Sequence, residues 1–161
     1  MKFKQFDYYI FIDFSENLIG YSIISYEKMF ELLPKITKFT HYKNLRHKKE
    51  YLKSMKKRIK RNKILSFFLR YKIKELYNNA DIYADVLEFI KKHEKCIIFI
   101  SIDNRQYKAF NKLVGFVDGK RVIVKKESEL IRGTPEYQAS LVLDTLLNIE
   151  RNKQKWLKKT K

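Results

Sequence analysis

A chain of 161 residues that is 45% hydrophobic and 15% aromatic can bury a core, which excludes a disordered basic tail. Its 36 Lys and Arg against 18 Asp and Glu leave a formal net charge of +18, a self-repulsion that a polyanionic partner offsets. Nucleic acid is the expected partner, because each neutralised phosphate releases a counterion; no membrane partner is expected, since no stretch nears the ~18 apolar residues of a span.

The first element is the apolar run Tyr8-Tyr9-Ile10-Phe11-Ile12, rich in aromatic and β-branched residues, which predicts a strand buried on both faces. It ends at Asp13. A turn at Ser15-Glu16-Asn17 leads into a second strand over 18–26, so the two form an antiparallel hairpin. Residues 34–40 are expected as a third, half-exposed strand that completes a meander. Residues 41–95 read as mainly helical, with a basic helical insertion over about 41–78. From Lys38 to Glu75 there are 15 Lys or Arg and two acids, whereas exposed helices ordinarily mix signs. Apolar residues punctuate this stretch at near-helical spacing, at Leu45, Tyr51, Leu52, Met55 and Ile59. The segment therefore reads as a phosphate-contacting arm carried by Lys48, Lys49, Lys53, Lys56, Lys57, Arg58, Lys60, Arg61 and Lys63. Its aromatics, Tyr51, Phe67, Phe68 and Tyr71, are expected to pack in the core.

After a break at Asn78-Asn79-Ala80, residues 81–90 predict an amphipathic helix with acids in its first turn. Residues 96–102 form a second wholly apolar run, and it also ends in an aspartate, Asp103. Because it follows a helix, it is expected to lie parallel to the first strand through a right-handed crossover. A short helix over 105–114, a tight turn at Asp118-Gly119 and a strand over 121–125 follow. Thr134, Pro135 and Glu136 mark the start of the last helix, which ends in a basic tail. With four Gly and two Pro there is no flexible linker, so residues 1–161 are expected to form one domain. The lone cysteine, Cys96, reads as a small buried hydrophobe in a reducing compartment. Without an apolar leader, a cytoplasmic location is expected.

The chemistry rests on Asp13, Asp103 and Asp144. The first two sit at the carboxyl ends of strands that read as doubly buried, where α/β sheets bind ligands. Asp144 interrupts a helix that is apolar on nearly every side, at a cost of several kcal/mol unless it is paired, hydrogen-bonded or metal-bound. A strand-end aspartate can also simply cap a turn, and Asp144 can pair with a buried arginine such as Arg121. Clustered carboxylates repel, and a hard divalent cation relieves them.

This order of elements resembles the RNase H-like nuclease superfamily, which includes resolvases and integrases. The resemblance rests on Ile10-Phe11-Ile12-Asp13, a β-meander, a parallel apolar strand Phe99-Ile100-Ser101-Ile102-Asp103, and a helix Gln138-Ala139-Ser140-Leu141-Val142-Leu143-Asp144. It covers most of the chain. It implies an α/β fold with a mixed sheet, an antiparallel three-strand meander plus parallel strands, and flanking helices. It also implies Mg²⁺ or Mn²⁺ as cofactor and two-metal hydrolysis of phosphodiesters in DNA or RNA. Asp13 would bridge both metals, and Asp103 and Asp144 would each bind one. The fourth acid of that family has Asp85, Glu88 and Glu129 as candidates. A non-catalytic nucleic-acid-binding protein on the same scaffold is the alternative. A PIN-like nuclease is another, distinguished by its lack of a meander. No Gly-rich phosphate loop is present. His41, His47 and His93 have no Cys partners at zinc-ligand spacing and read as surface residues. Gln138 is placed in the same cleft as Asp144.

Overall fold

The computed structural model describes residues 5–102, 104–118 and 122–159. Asp103 and Arg121 lie outside the described residues, as does Gly119 of the expected tight turn. The chain opens with the hairpin β1 (Tyr8–Ser15) and β2 (Leu18–Ser25), joined through Glu16 at φ 53°. Helix α1 (Tyr26–Leu32) follows, then the long basic helix α2 (Lys48–Arg61) and strand β3 (Arg70–Glu75). Helix α3 (Asn79–Lys92) leads to β4 (Cys96–Ile100), α4 (Asn104–Asp118), β5 (Ile123–Lys126) and the 25-residue α5 (Pro135–Lys159).

The described strands form one sheet in the order β3-β2-β1-β4-β5. The meander β1-β2-β3 is antiparallel, while β4 and β5 continue it in parallel with β1. That meander separates the fold from the PIN-like alternative. Strand alternation sends Ile10 and Ile12 to one face and Phe11 and Asp13 to the other. The first face is covered by α3 and α4 through Val86, Phe89, Phe110 and Val114. The second is covered by α1, α2 and α5 through Met29, Met55, Val142 and Leu147. Both apolar strands are therefore buried on two sides, as their unbroken runs require. Cys96 is buried at the start of β4.

One expected strand is absent and another stands in its place. Residues 34–40 form a 3₁₀ turn (Leu33–Lys35) and loop, because Pro34 cannot feed a ladder and the large apolar residues, Ile36 and Phe39, are three apart. Three residues is the spacing of a turn, and both side chains are buried beneath α5. The third meander strand is β3, which lies inside the basic stretch read as helical. There Tyr71 and Ile73 alternate with Arg70, Lys72 and Lys74, a period-2 pattern hidden by the surrounding lysines. None of the described helices is long and apolar enough to cross a membrane.

Candidate active site

Because β1, β4 and β5 are parallel, their carboxyl ends open on the same edge of the sheet. A cavity of about 500 Å³ lies there, lined by Asp13 and Phe14, by Ser101 and Ile102 after β4, and by Lys126 and Glu127 at the end of β5. Helix α5 closes the opposite wall with Tyr137, Ser140 and Asp144, and the loop after α1 adds His41 and Lys43.

Helix α5 can come this close because β2 carries a glycine. A Cβ at Gly20, the cross-strand partner of Asp13, would meet Leu143, Leu147 and Ile73 at 3.2 Å. The glycine thus seats the leucines flanking Asp144 directly on the sheet. The same helix is pinned to the end of β1 by polar contacts. Asn148 Nδ2 donates to the Asp144 carbonyl at 2.7 Å, and its Oδ1 accepts from the Ser15 hydroxyl at 3.2 Å. Arg151 Nη1 donates to Ser15 Oγ at 3.1 Å.

Asp13 is 7% exposed and Asp144 6%, and Glu127 is half-buried beside them. Burial pushes the Asp13 carboxyl well above the usual carboxylate range, and the nearby charges of Glu127 and Asp144 push it further. Its Oδ1 accepts the Phe14 N–H at 2.8 Å, and the Ser101 hydroxyl is within hydrogen-bonding reach of both Asp13 and Glu127. Burial also raises Glu127 and Asp144. Asp144 is tempered by the Tyr42 N–H, which reaches its Oδ2 at 2.9 Å, and by the neighbouring His41, Arg151 and Lys43 side chains. His41 Nδ1 caps its own turn on the Lys43 N–H at 3.4 Å and lies 3.9 Å from that Asp144 oxygen. The three acids thus line one space, and among the described residues no arginine is hydrogen-bonded to any of them.

The structure brings Asp13 and Asp144 together and leaves Asp85, Glu88 and Glu129 elsewhere, while Asp103 lies outside the described residues. Asp85 lies on α3, across the sheet, where it accepts Lys72 Nζ at 2.6 Å and the Tyr21 hydroxyl at 3.1 Å. The Lys72 hydrogen bond holds its carboxyl below the usual range. Glu88 is exposed on the same helix and pairs with Lys92 at 3.0 Å. Glu129 is exposed and turns back to accept the Lys126 N–H at 2.9 Å, capping the 3₁₀ turn Glu127–Glu129. Gln138 holds the loop after α1 instead of facing the acids, donating to the Ile36 and Phe39 carbonyls at 2.6 and 2.8 Å.

Glu127 and His41 are among the lining residues that escaped the sequence reading. Glu127 follows a strand end just as Asp13 does. Two lysines separate it from the apolar run of β5, however, so that run alone stops the strand too early. His41 faces the cavity because Tyr42 docks on Asp144, a contact across 102 residues that no local pattern reveals. His47 is exposed, and His93 stacks on Phe89 with ring centroids 3.9 Å apart.

The basic residues of α2 do not share one face. Lys48 and Lys49 line a groove with Tyr42, Lys155 and Trp156. Lys53, Lys57, Arg58 and Arg61 line a second groove, and Lys56, Lys60 and Lys63 a third with Ile59 and Leu65. Of the aromatics expected in the core, Phe68 is buried, Tyr51 and Phe67 are half-buried and Tyr71 is 46% exposed.

The sequence matches no known family model and no curated protein. Solved structures do match. RNase HII of Archaeoglobus fulgidus, in its complex with PCNA, superposes with a TM-score of 0.55 at 12% identity, covering 94% of this chain and 76% of that one. Ribonuclease H2 of Pyrococcus horikoshii OT3 gives 0.57 at 12% identity, covering 96% and 76%. With this likeness, the strand order and the mixed pairing described above, the chain has an RNase H-like fold.

Proposed function

We propose that the chain is a nuclease that hydrolyses phosphodiester bonds with the help of divalent cations, Mg²⁺ or Mn²⁺. The observation that carries this reading is the gathering of Asp13, Glu127 and Asp144 in one cavity at the carboxyl edge of the sheet, in a chain of net charge +18. Among the described residues, no group of three or more His, Cys, Asp or Glu side chains forms a ready cage for a metal ion. Mg²⁺ seldom needs one, because it is usually held by one or two carboxylates while water and substrate phosphates complete its shell. The oxygen-only donors here, each raised by burial, fit that shared mode of binding.

Asp13 and Asp144 would hold the cation, with Glu127 as the further acid in place of Asp85, Glu88 or Glu129. Asp103, which follows Ile102 of the cavity wall in sequence, keeps its expected role as a ligand. A bound divalent cation would polarise the scissile phosphate and lower the pKa of attacking water. The chain's own residues do the rest. Ser101 orients Asp13 and Glu127, the Tyr42 N–H fixes Asp144, and Lys43 and Lys126 at the rim draw the phosphate backbone inward.

Single- and double-stranded DNA and RNA incubated with Mg²⁺ or Mn²⁺ provide the test. Cleavage of at least one substrate is expected, lost in Asp13→Asn and Glu127→Gln but kept in Glu129→Gln. Ser101→Ala, which removes a hydroxyl behind the ligands, should cost roughly 10–100-fold. If no substrate is cut and Asp13→Asn behaves as wild type, the enzyme reading fails. The rival reading, a binding protein on the same scaffold, would show tight, salt-sensitive binding without turnover.

A further inference from the structure

Between the last turns of α2 and the middle of α5 lies a groove of about 420 Å³. Its floor is aliphatic, made by Ile59 of α2, Leu146 and Ile149 of α5, and Leu65 of the 3₁₀ turn Ile64–Phe67. Ile59 is buried and the other three are half-buried, each resting on the core with part of its surface. The exposed lysines Lys56, Lys60 and Lys63 rim this floor. The corner that closes the groove is held by backbone geometry. The chain leaves α2 through Lys63 at φ 51°, and Ser66 donates to the Lys63 carbonyl from its N–H at 3.0 Å and its hydroxyl at 2.6 Å. Glycine adopts that conformation at less cost. The lysine there adds a third cation to the rim. Among the described residues, none of the three lysines is ion-paired.

We propose that this groove docks an acidic amphipathic helix of a partner protein. Apolar residues of that helix, spaced i, i+3, i+4 and i+7, enter the trough between α2 and α5, and its Asp or Glu side chains meet Lys56, Lys60 and Lys63. Two helices form the long walls, so a third helix can seat its ridge of side chains between them. The charge on the rim decides the sign of the occupant. A second copy of this chain is disfavoured, because it brings a net charge of +18 of its own. The floor disfavours nucleic acid, since phosphates need no aliphatic surface and none of the described lining residues is an aromatic that could stack a base. The concave shape disfavours a membrane, which takes up an apolar face able to enter the lipid. Nothing in this docking depends on cleavage at the acids.

The probe is a fluorescently labelled peptide of about 16 residues, roughly four helical turns, with leucines along one face and glutamates elsewhere. In an anisotropy titration with the full-length protein it is expected to bind saturably. A peptide of the same composition with its leucines scattered around the helix should bind roughly tenfold more weakly. The double variant Lys56→Glu/Lys60→Glu reverses the rim and should weaken binding of the first peptide roughly tenfold. Lys108→Glu/Lys112→Glu makes the same charge change at the same spacing on α4, which covers the other face of the sheet, and should shift the affinity by less than about twofold. Leu65→Ala trims the floor and should weaken binding roughly tenfold. Circular dichroism checks each fold, and Ile149→Ala replaces Leu65→Ala should the latter not fold. No peptide binding, equal binding of the scattered peptide, equal loss in the two charge variants, or full affinity in a folded floor variant would each overturn the proposal. Phosphatidylserine-containing vesicles that sediment the wild type but not Lys56→Glu/Lys60→Glu would overturn it in favour of a membrane. A single-stranded oligonucleotide whose affinity falls as far as the peptide's in that variant would overturn it in favour of nucleic acid.

Discussion

Asp13 carries the sharpest physical tension in the molecule. Its carboxyl is almost fully buried, two further carboxyls raise its pKa, and its compensation is the Phe14 N–H and a hydroxyl shared with Glu127. A group whose folded pKa is raised destabilises the fold when it ionises. The penalty is present at neutral pH and disappears below roughly pH 4, where the unfolded aspartate is protonated as well. In Asp13→Asn the charge is gone, yet the acceptor for Phe14 remains. The variant should therefore be more stable than wild type at pH 7 in EDTA, and each kcal/mol gained reads as roughly 2–4 °C in melting temperature. The advantage should vanish on acidification. Adding Mg²⁺ should raise the melting temperature of wild type and leave the variant nearly unmoved, as binding to the folded state alone requires. A thermal-shift series over pH and Mg²⁺ checks all three expectations. A variant less stable than wild type at pH 7 would show that Asp13 is structurally paired and not held for a cation.

Among the elements, legibility followed how local the cause was. The strands β1 and β4 were readable because burial on both faces leaves an unbroken apolar run, and their parallel pairing followed from the helix between them. The cap of α5 was readable because Thr134 and Pro135 act within one turn; the Thr134 hydroxyl accepts the Tyr137 N–H at 3.3 Å. Strand β3 was not, because its lysines are satisfied across the sheet by Asp85 at 2.6 Å and, more loosely, by Asp81 at 3.9 Å on α3. The same pairing withdraws Asp85 from any metal site. A charged strand with a helix beneath it looks, in sequence, like a charged helix. Gly20 was equally silent, since its role is to leave room for α5. Gly20→Val should force the Leu143–Leu147 turn off the sheet, with an overpacking cost of about 1–3 kcal/mol. Asp144 moves with that turn, so cleavage should fall further than the lost folded fraction explains. Activity compared at a temperature where circular dichroism shows the variant fully folded would decide this. Full activity there would mean that α5 is not what sets the position of Asp144.

At the scale of the whole molecule, the acids and the excess positive charge must be reconciled. Three carboxyls sit at one edge of the sheet, and the densest cationic element, α2, packs beside α5, which supplies one of them. The lysines surround α2, so they cannot all follow a single nucleic-acid strand. The side bearing Lys48, Lys49 and Lys155 includes Tyr42, whose chain neighbours His41 and Lys43 line the acid cavity. The side bearing Lys56, Lys60 and Lys63 lies against Ile59, Leu65, Leu146 and Ile149, an apolar strip none of whose residues adjoins in sequence those lining the acid cavity. These two sides carry the same number of lysines but should not contribute equally to binding. In a titration of single-stranded oligonucleotide affinity against salt, each phosphate contact adds roughly 0.7 to the slope of log affinity on log salt. Replacing Lys48, Lys49 and Lys155 by alanine should therefore flatten the slope by about 2. Replacing Lys56, Lys60 and Lys63 removes the same net charge and should change the slope far less. Equal flattening by both variants would mean that overall charge alone draws nucleic acid to this protein, without a defined track leading to its acids.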